Sequence, residues 1–207
     1  MARHHPGTDG KRDSPFGWPQ NVELMSSDSK QRMEADSARM VQEAMKQAGI
    51  NSDEPVALIG HSQGGIVAAT IASDLKDDYD VKHVVTAGSP VANHPIPDKT
   101  WVTSVEMDDE LVAALDGAPN PNSEHWLTVR GTASKSDNNP KSTFAGTPVI
   151  DAPDNKEITH WLKYHQAAYQ NATDMGSSAM KTHEQHFDEI LDGDLQEVMY
   201  FEGRMSK

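Results

Sequence analysis

The chain of 207 residues contains no cysteine. That absence excludes disulfides, thiolate metal sites and a cysteine nucleophile. It leaves the compartment open, because exported proteins can lack cysteine too. Aromatic residues are sparse, four each of Trp, Tyr and Phe, and the mean hydropathy is −0.67. A modest core with generous polar loops follows. No apolar run approaches the roughly 18 residues of a membrane span. Met1 to Gly10 lacks the apolar stretch of a secretory signal. The expectation is a cytoplasmic protein by default, or an exported one if the chain is a piece of a longer protein.

Positive charge is also short: 18 Lys and Arg stand against 32 Asp and Glu, for a net charge of −14. Residues 1–50 hold 7 of each sign, so the whole excess lies in residues 51–207. Such a surface repels nucleic acid and anionic bilayers. Its ordinary meaning is solubility or a salty habitat. Nucleic acid is therefore not an expected partner.

What is present is an alternation of short apolar runs and helical patterns. Residues 1–27 are rich in Pro, Gly, Asp and Ser and read as an irregular lead. Ser29 to Gly49 carries a helical stripe that includes Met33, Ala38, Val41 and Met45, with Gly49 as its stop. Val56 to Gly60 is a continuous apolar run, as in a strand buried on both faces. Gly64 to Leu75 reads as helix; Val81 to Ala87, Trp101 to Met107 and His125 to Arg130 read as strands. Gly131 to Pro153 reads as a polar loop, Glu157 to Ala172 as a helix and Asp188 to Met199 as another. Strands alternating with helices predict parallel βαβ units. The expected division is a lead at 1–27, an α/β core at 28–175 and a C-terminal helical segment at 176–207. Four strands make a small sheet, and an open edge predicts self-association there or coverage by the lead.

The most specific signal is Gly60-His-Ser-Gln-Gly-Gly65, a Gly-x-Ser-x-Gly pattern between a strand and a helix. A nucleophile elbow turns so sharply that its Ser adopts strained backbone angles. Small residues on either side let strand and helix approach closely. Ser62 is thereby presented at the carboxyl end of the sheet as a nucleophile. The Gln63 amide, at the helix start, is placed to stabilise an oxyanion.

The segments Pro55 to Ala69 and Val81 to Pro90, the latter ending Thr-Ala-Gly-Ser-Pro, resemble the α/β-hydrolase superfamily. More narrowly, they resemble the lipase- and cutinase-like serine esterases of actinobacteria. The resemblance implies a three-layer α/β-hydrolase-like sandwich with a reduced, mostly parallel sheet. It also implies a triad in the order Ser, acid, His. Asp108-Asp109-Glu110 follows the third predicted strand. The related esterases place Leu-Val-Pro-x-Leu-Asp-Gly after their acid, and Glu110 to Gly117 fits that frame with Ala113 for Pro. Glu110 is favoured, with Asp109 one residue away as the alternative.

The same esterases place their His four residues before a Tyr. Both His160/Tyr164 and His165/Tyr169 satisfy this. His165 fits the longer pattern better and is the expected base, with His160 as runner-up. His165 also falls on one helical stripe with Ile158, Trp161, Leu162 and Tyr169, where a histidine can serve the core alone. His5 to Asp9 resembles the Pro-Gly-Thr loop of these esterases, which makes the Thr8 amide the second oxyanion donor. The strand expected before that loop is missing from the sequence pattern, as are earlier strands, so a trimmed hydrolase or a late start is expected.

No metal or cofactor is implied. His183-Glu-Gln-His186 has no third ligand and departs from His-Glu-x-x-His. The reading is a serine esterase working through an acyl-enzyme, and the resemblance implies a small-molecule or lipid ester as its substrate. A thioesterase or acyltransferase, or an inactive interaction module that keeps the elbow, are the alternatives.

Overall fold

A computed structural model describes residues 2–5, 24–25, 28–108, 110–134, 149–151 and 159–203. Six strands form one sheet in strictly sequential order, and every neighbouring pair is parallel. They are β1 (Ala2–His5), β2 (Pro55–His61), β3 (Asp80–Ala87), β4 (Trp101–Met107), β5 (Trp126–Ser134) and β6 (Val149–Asp151). The helices are α1 (Ser29–Glu34), α2 (Asp36–Gln47), α3 (Gln63–Asp74), α4 (Leu162–Met175) and α5 (Ser178–Leu191). No described helix is long and apolar enough to cross a membrane.

Two strands depart from the sequence expectation. β1 lies within the lead, where no strand is legible, and pairs Ala2 with Ala57 through His5 with Gly60. The strand before the Pro6-Gly7-Thr8 segment therefore exists. It takes the edge beside β2, leaving β1 and β6 outermost. β6 falls within the stretch read as a polar loop.

The helices differ at their ends. Asp28 caps α1 by accepting from the Lys30 amide at 2.8 Å. Ala35, at ψ 128, then breaks the single expected helix into α1 and α2. The break accompanies a buried pair: Arg32 Nε and Nη2 donate to Asp74 at 2.8 and 2.6 Å, joining α1 to the end of α3. The last helix runs from Ser178 rather than Asp188, with Ser177 accepting from the Met180 amide. Asp192 to Gly203 is not helical.

Two clusters of buried apolar residues flank the sheet. Ala38, Val41 and Met45 of α2 and Ile66, Val67 and Ile71 of α3 pack with Val56, Leu58 and Val84. Tyr164, Ala168 and Met180 pack with Val105, Met107 and Val129. Successive strand residues face opposite sides of a sheet. Val84 joins the α3 cluster while His83 reaches α5. The result is three layers, the α/β-hydrolase-like sandwich.

A directed chain of hydrogen bonds fastens α5. The Glu124 carbonyl can only accept, so His183 Nε2–H donates to it at 3.1 Å. His183 Nδ1 then accepts from the Thr103 hydroxyl at 3.0 Å. Thr103 accepts from His83 Nε2–H at 2.9 Å, and His83 Nδ1 accepts from His186 Nδ1–H at 3.1 Å. Each imidazole is neutral with one tautomer, assigned by the network. Burial pushes His83 down to about 3 and lowers His183 and His186. Trp101 stacks on His186 at 4.5 Å between ring centres.

Candidate active site

Among the described residues, Ser62 is the only non-glycine with positive φ, at φ 54 and ψ −126. Its backbone is over-determined, as a strained residue requires. The Ser62 amide donates to the Ala87 carbonyl at 2.8 Å. Its own carbonyl accepts from Gly65 and Ile66 amides and from the Ser89 hydroxyl, the last at 2.8 Å. A Cβ on Gly60 would lie 2.2 Å from the Gly64 backbone, and one on Gly65 2.1 Å from Ser89 Oγ. Glycine is required at both positions because strand, helix and the loop after β3 meet there. Ser89 thus gives the Thr-Ala-Gly-Ser-Pro segment a physical purpose. The spacing alone does not reveal it.

The Ser62 hydroxyl lies 2.9 Å from His160 Nε2. His160 Nδ1 meets Glu110 Oε2 in a short contact. His160 sits in the turn just before α4, and this differs from the expectation that His165 faces Ser62. The helix begins at Leu162 instead of residue 157. That late start frees His160 to reach across the carboxyl end of the sheet. His165, one turn into α4, is 1% exposed and points inward. Its Nδ1 lies 3.2 Å from the Trp161 carbonyl and its Nε2 lies 3.6 Å from Glu110 Oε1.

Glu110 follows β4 and is the carboxylate brought to His160; its side chain is 3% exposed. Burial alone would raise its carboxyl. Hydrogen bonding and the nearby charges of His160 and His165 outweigh burial and hold it at about 2. Asp109 and Thr8 lie outside the described residues. The Asp116 side chain accepts from the Ala92 amide at 2.8 Å, fastening the acid loop to the loop after β3. Gln63 opens α3, so its amide belongs to the first helical turn at the elbow.

Two further residues shape the site without having been singled out for it. His61 Nε2–H donates to the His160 carbonyl at 2.7 Å. Burial, opposed by that hydrogen bond, lowers its imidazole to about 4. Gly88, at φ +56, lets both histidines close in: a Cβ there would lie 2.8 Å from His165 Nε2 and 2.9 Å from His160 Nδ1. The nitrogen and oxygen atoms of Glu110, His160 and His165 lie within 4.8 Å of one another. In this arrangement, Oε2 of Glu110 and Nδ1 of His160 are already committed to each other.

The profile of the PGAP1-like alpha/beta domain matches residues 21–150. That stretch includes Ser62 and Glu110, and His160 follows it. No curated protein and no solved structure gives a significant match.

Proposed function

The chain belongs to the PGAP1-like alpha/beta domain family, a hydrolase-fold family, and from that premise we propose that it is a serine hydrolase acting on carboxylic esters. The observation that carries the proposal is the strained Ser62 with His160 Nε2 2.9 Å from its hydroxyl. Ser62 Oγ attacks the ester carbonyl and passes its proton to His160 Nε2. Glu110 accepts the Nδ1–H, keeps the ring in the productive tautomer and stabilises the imidazolium that forms. The oxyanion is held by the Gln63 amide, with the Thr8 amide as its partner; β1 ends at His5 beside Gly60, three residues before Thr8. His160 returns the proton to the departing alcohol, leaving an acyl-Ser62. Water, deprotonated by the same imidazole, then releases the acid.

The resemblance to cutinase-like esterases favours a lipid or a short-to-medium acyl ester. Labelling with a fluorophosphonate tests the reading. Wild type is expected to form a covalent adduct on Ser62 and to hydrolyse p-nitrophenyl esters. Ser62→Ala is expected to lose labelling and to retain less than about a thousandth of the rate. Labelling that persists in Ser62→Ala would assign the nucleophile elsewhere.

A further inference from the structure

The proposed triad uses one oxygen of Glu110 and leaves the other to be explained. Oε1 is buried, and the nitrogen facing it is Nε2 of His165 at 3.6 Å. Neither atom has a hydrogen bond to another group. A buried carboxylate oxygen without a donor carries the full desolvation cost of its charge. A side chain as enclosed as His165 has little freedom to turn away. We infer that His165 is a positioning residue, whose ring nitrogen faces the second oxygen of Glu110 and so keeps the first aimed at His160.

This inference rests on the hydrolase reading above and deepens it. The ring is gripped on both sides. Its Nδ1–H donates at 3.2 Å to the Trp161 carbonyl, which can only accept, so a ring that also presents an N–H to Glu110 is the imidazolium. The glycine at position 88 removes the Cβ that would lie 2.8 Å from Nε2. The His61 ring stands edge-on to it, with centres 5.5 Å apart. At 3.6 Å the contact with Glu110 is longer than a hydrogen bond and acts by charge and dipole. It closes to a hydrogen bond with a shift of about half an ångström. Without it, the carboxylate can rotate away and present His160 with a displaced acceptor. Misplacement on that scale costs up to about a hundredfold in rate.

Kinetics of His165→Leu and His165→Gln test this, together with 15N spectra of the histidine rings in wild type. His165→Leu is expected to lower kcat roughly ten- to hundredfold with KM within about twofold. It should also shift the acid limb of the pH–rate profile. His165→Gln keeps a side-chain N–H donor and should recover most of the rate. The wild-type spectra should show protons on both ring nitrogens of His165 at the pH of activity. A bare Nε2 overturns the inference, as does a His165→Leu enzyme with unchanged kcat and pH profile. If His165→Leu fails to fold, the Gln variant and the wild-type spectra decide. Failure of wild type to take the fluorophosphonate label overturns the hydrolase reading instead, and the ring spectra still report on His165.

Discussion

His61 donates from Nε2 to the carbonyl oxygen of His160 at 2.7 Å, tying the residue before the proposed nucleophile to the residue that carries the proposed base. The elbow therefore sets the position of the imidazole as well as that of the serine. Replacing His61 with Phe keeps the bulk of the ring and removes the donor. The expected result is a fall in kcat of roughly ten- to hundredfold with little change in KM. Steady-state kinetics against a soluble ester would check it, and an unchanged kcat would show the tether to be dispensable. The His61 ring titrates at about 4, so its neutral donor form persists above pH 5 and adds no ionisation to the profile there.

Glu110 is held at about 2, below the ordinary carboxyl value of 4.5. A depressed folded-state value means that Glu110 contributes stability above pH 4.5 and loses it as pH falls toward 2. In the working range it stays ionised, so the acid limb of a pH–rate profile belongs to an imidazole. Glu110→Gln should cut kcat by three to four orders of magnitude, on the order of what a wrong tautomer costs in other triads. The amide can hold His160 with its proton on Nε2, which then cannot accept from Ser62. Kinetics across pH 5–9 provide the test, and a mild loss would remove Glu110 from the triad.

The neutral histidine chain under α5 predicts acid sensitivity. His83, at about 3, and the lowered His183 and His186 all bind protons more readily in the unfolded chain. Their contribution is complete above the ordinary histidine value of 6.5 and is lost as pH falls below it. His83 alone accounts for on the order of 2 kcal/mol between pH 7 and 4.5. Lys82 opposes and Glu189 favours a charge on His186. Urea melts at several pH values should show this slope, and Trp101, stacked on His186, should report it by fluorescence. Replacing His83 by Gln should flatten the dependence. A slope that survives that substitution would place the sensitivity elsewhere.

Arg32→Ala should destabilise the fold by about 3–5 kcal/mol, because it strands a buried carboxylate. The two side chains are 3% and 6% exposed. Thermal unfolding followed by circular dichroism is expected to show a Tm lowered by on the order of 10 °C. A shift under two degrees would mean that Asp74 finds water or another partner.

The elbow was legible because its geometry leaves little choice of residue. A Cβ at Gly60 collides with backbone, and so spacing and residue type carry the turn. The buried strands were legible for a related reason: a parallel strand covered on both faces must be apolar along its length. β1 was not, since Ala-Arg-His-His has no apolar pattern and its place is given by backbone pairing to β2. The choice between His160 and His165 was closed to the sequence as well. Both precede a Tyr by four residues, and what separates them is the start of α4 at Leu162. The break at Ala35 is likewise visible only once Arg32 and Asp74, 42 residues apart, are brought together.

The sequential strand order has a consequence for how the molecule comes into being. Each strand docks against the one made just before it, so the sheet can grow by one edge as the chain emerges. Parallel pairing still spans long connections, from Ala2 to Ala57 in the first pair, so each docking step carries a loop-closure cost. The site follows the opposite schedule. Ser62 and Glu110 are laid down early, but His160 lies 98 residues beyond the serine and after the sixth strand. A growing chain therefore carries a finished elbow that lacks its proposed base until nearly the whole sheet stands beneath it.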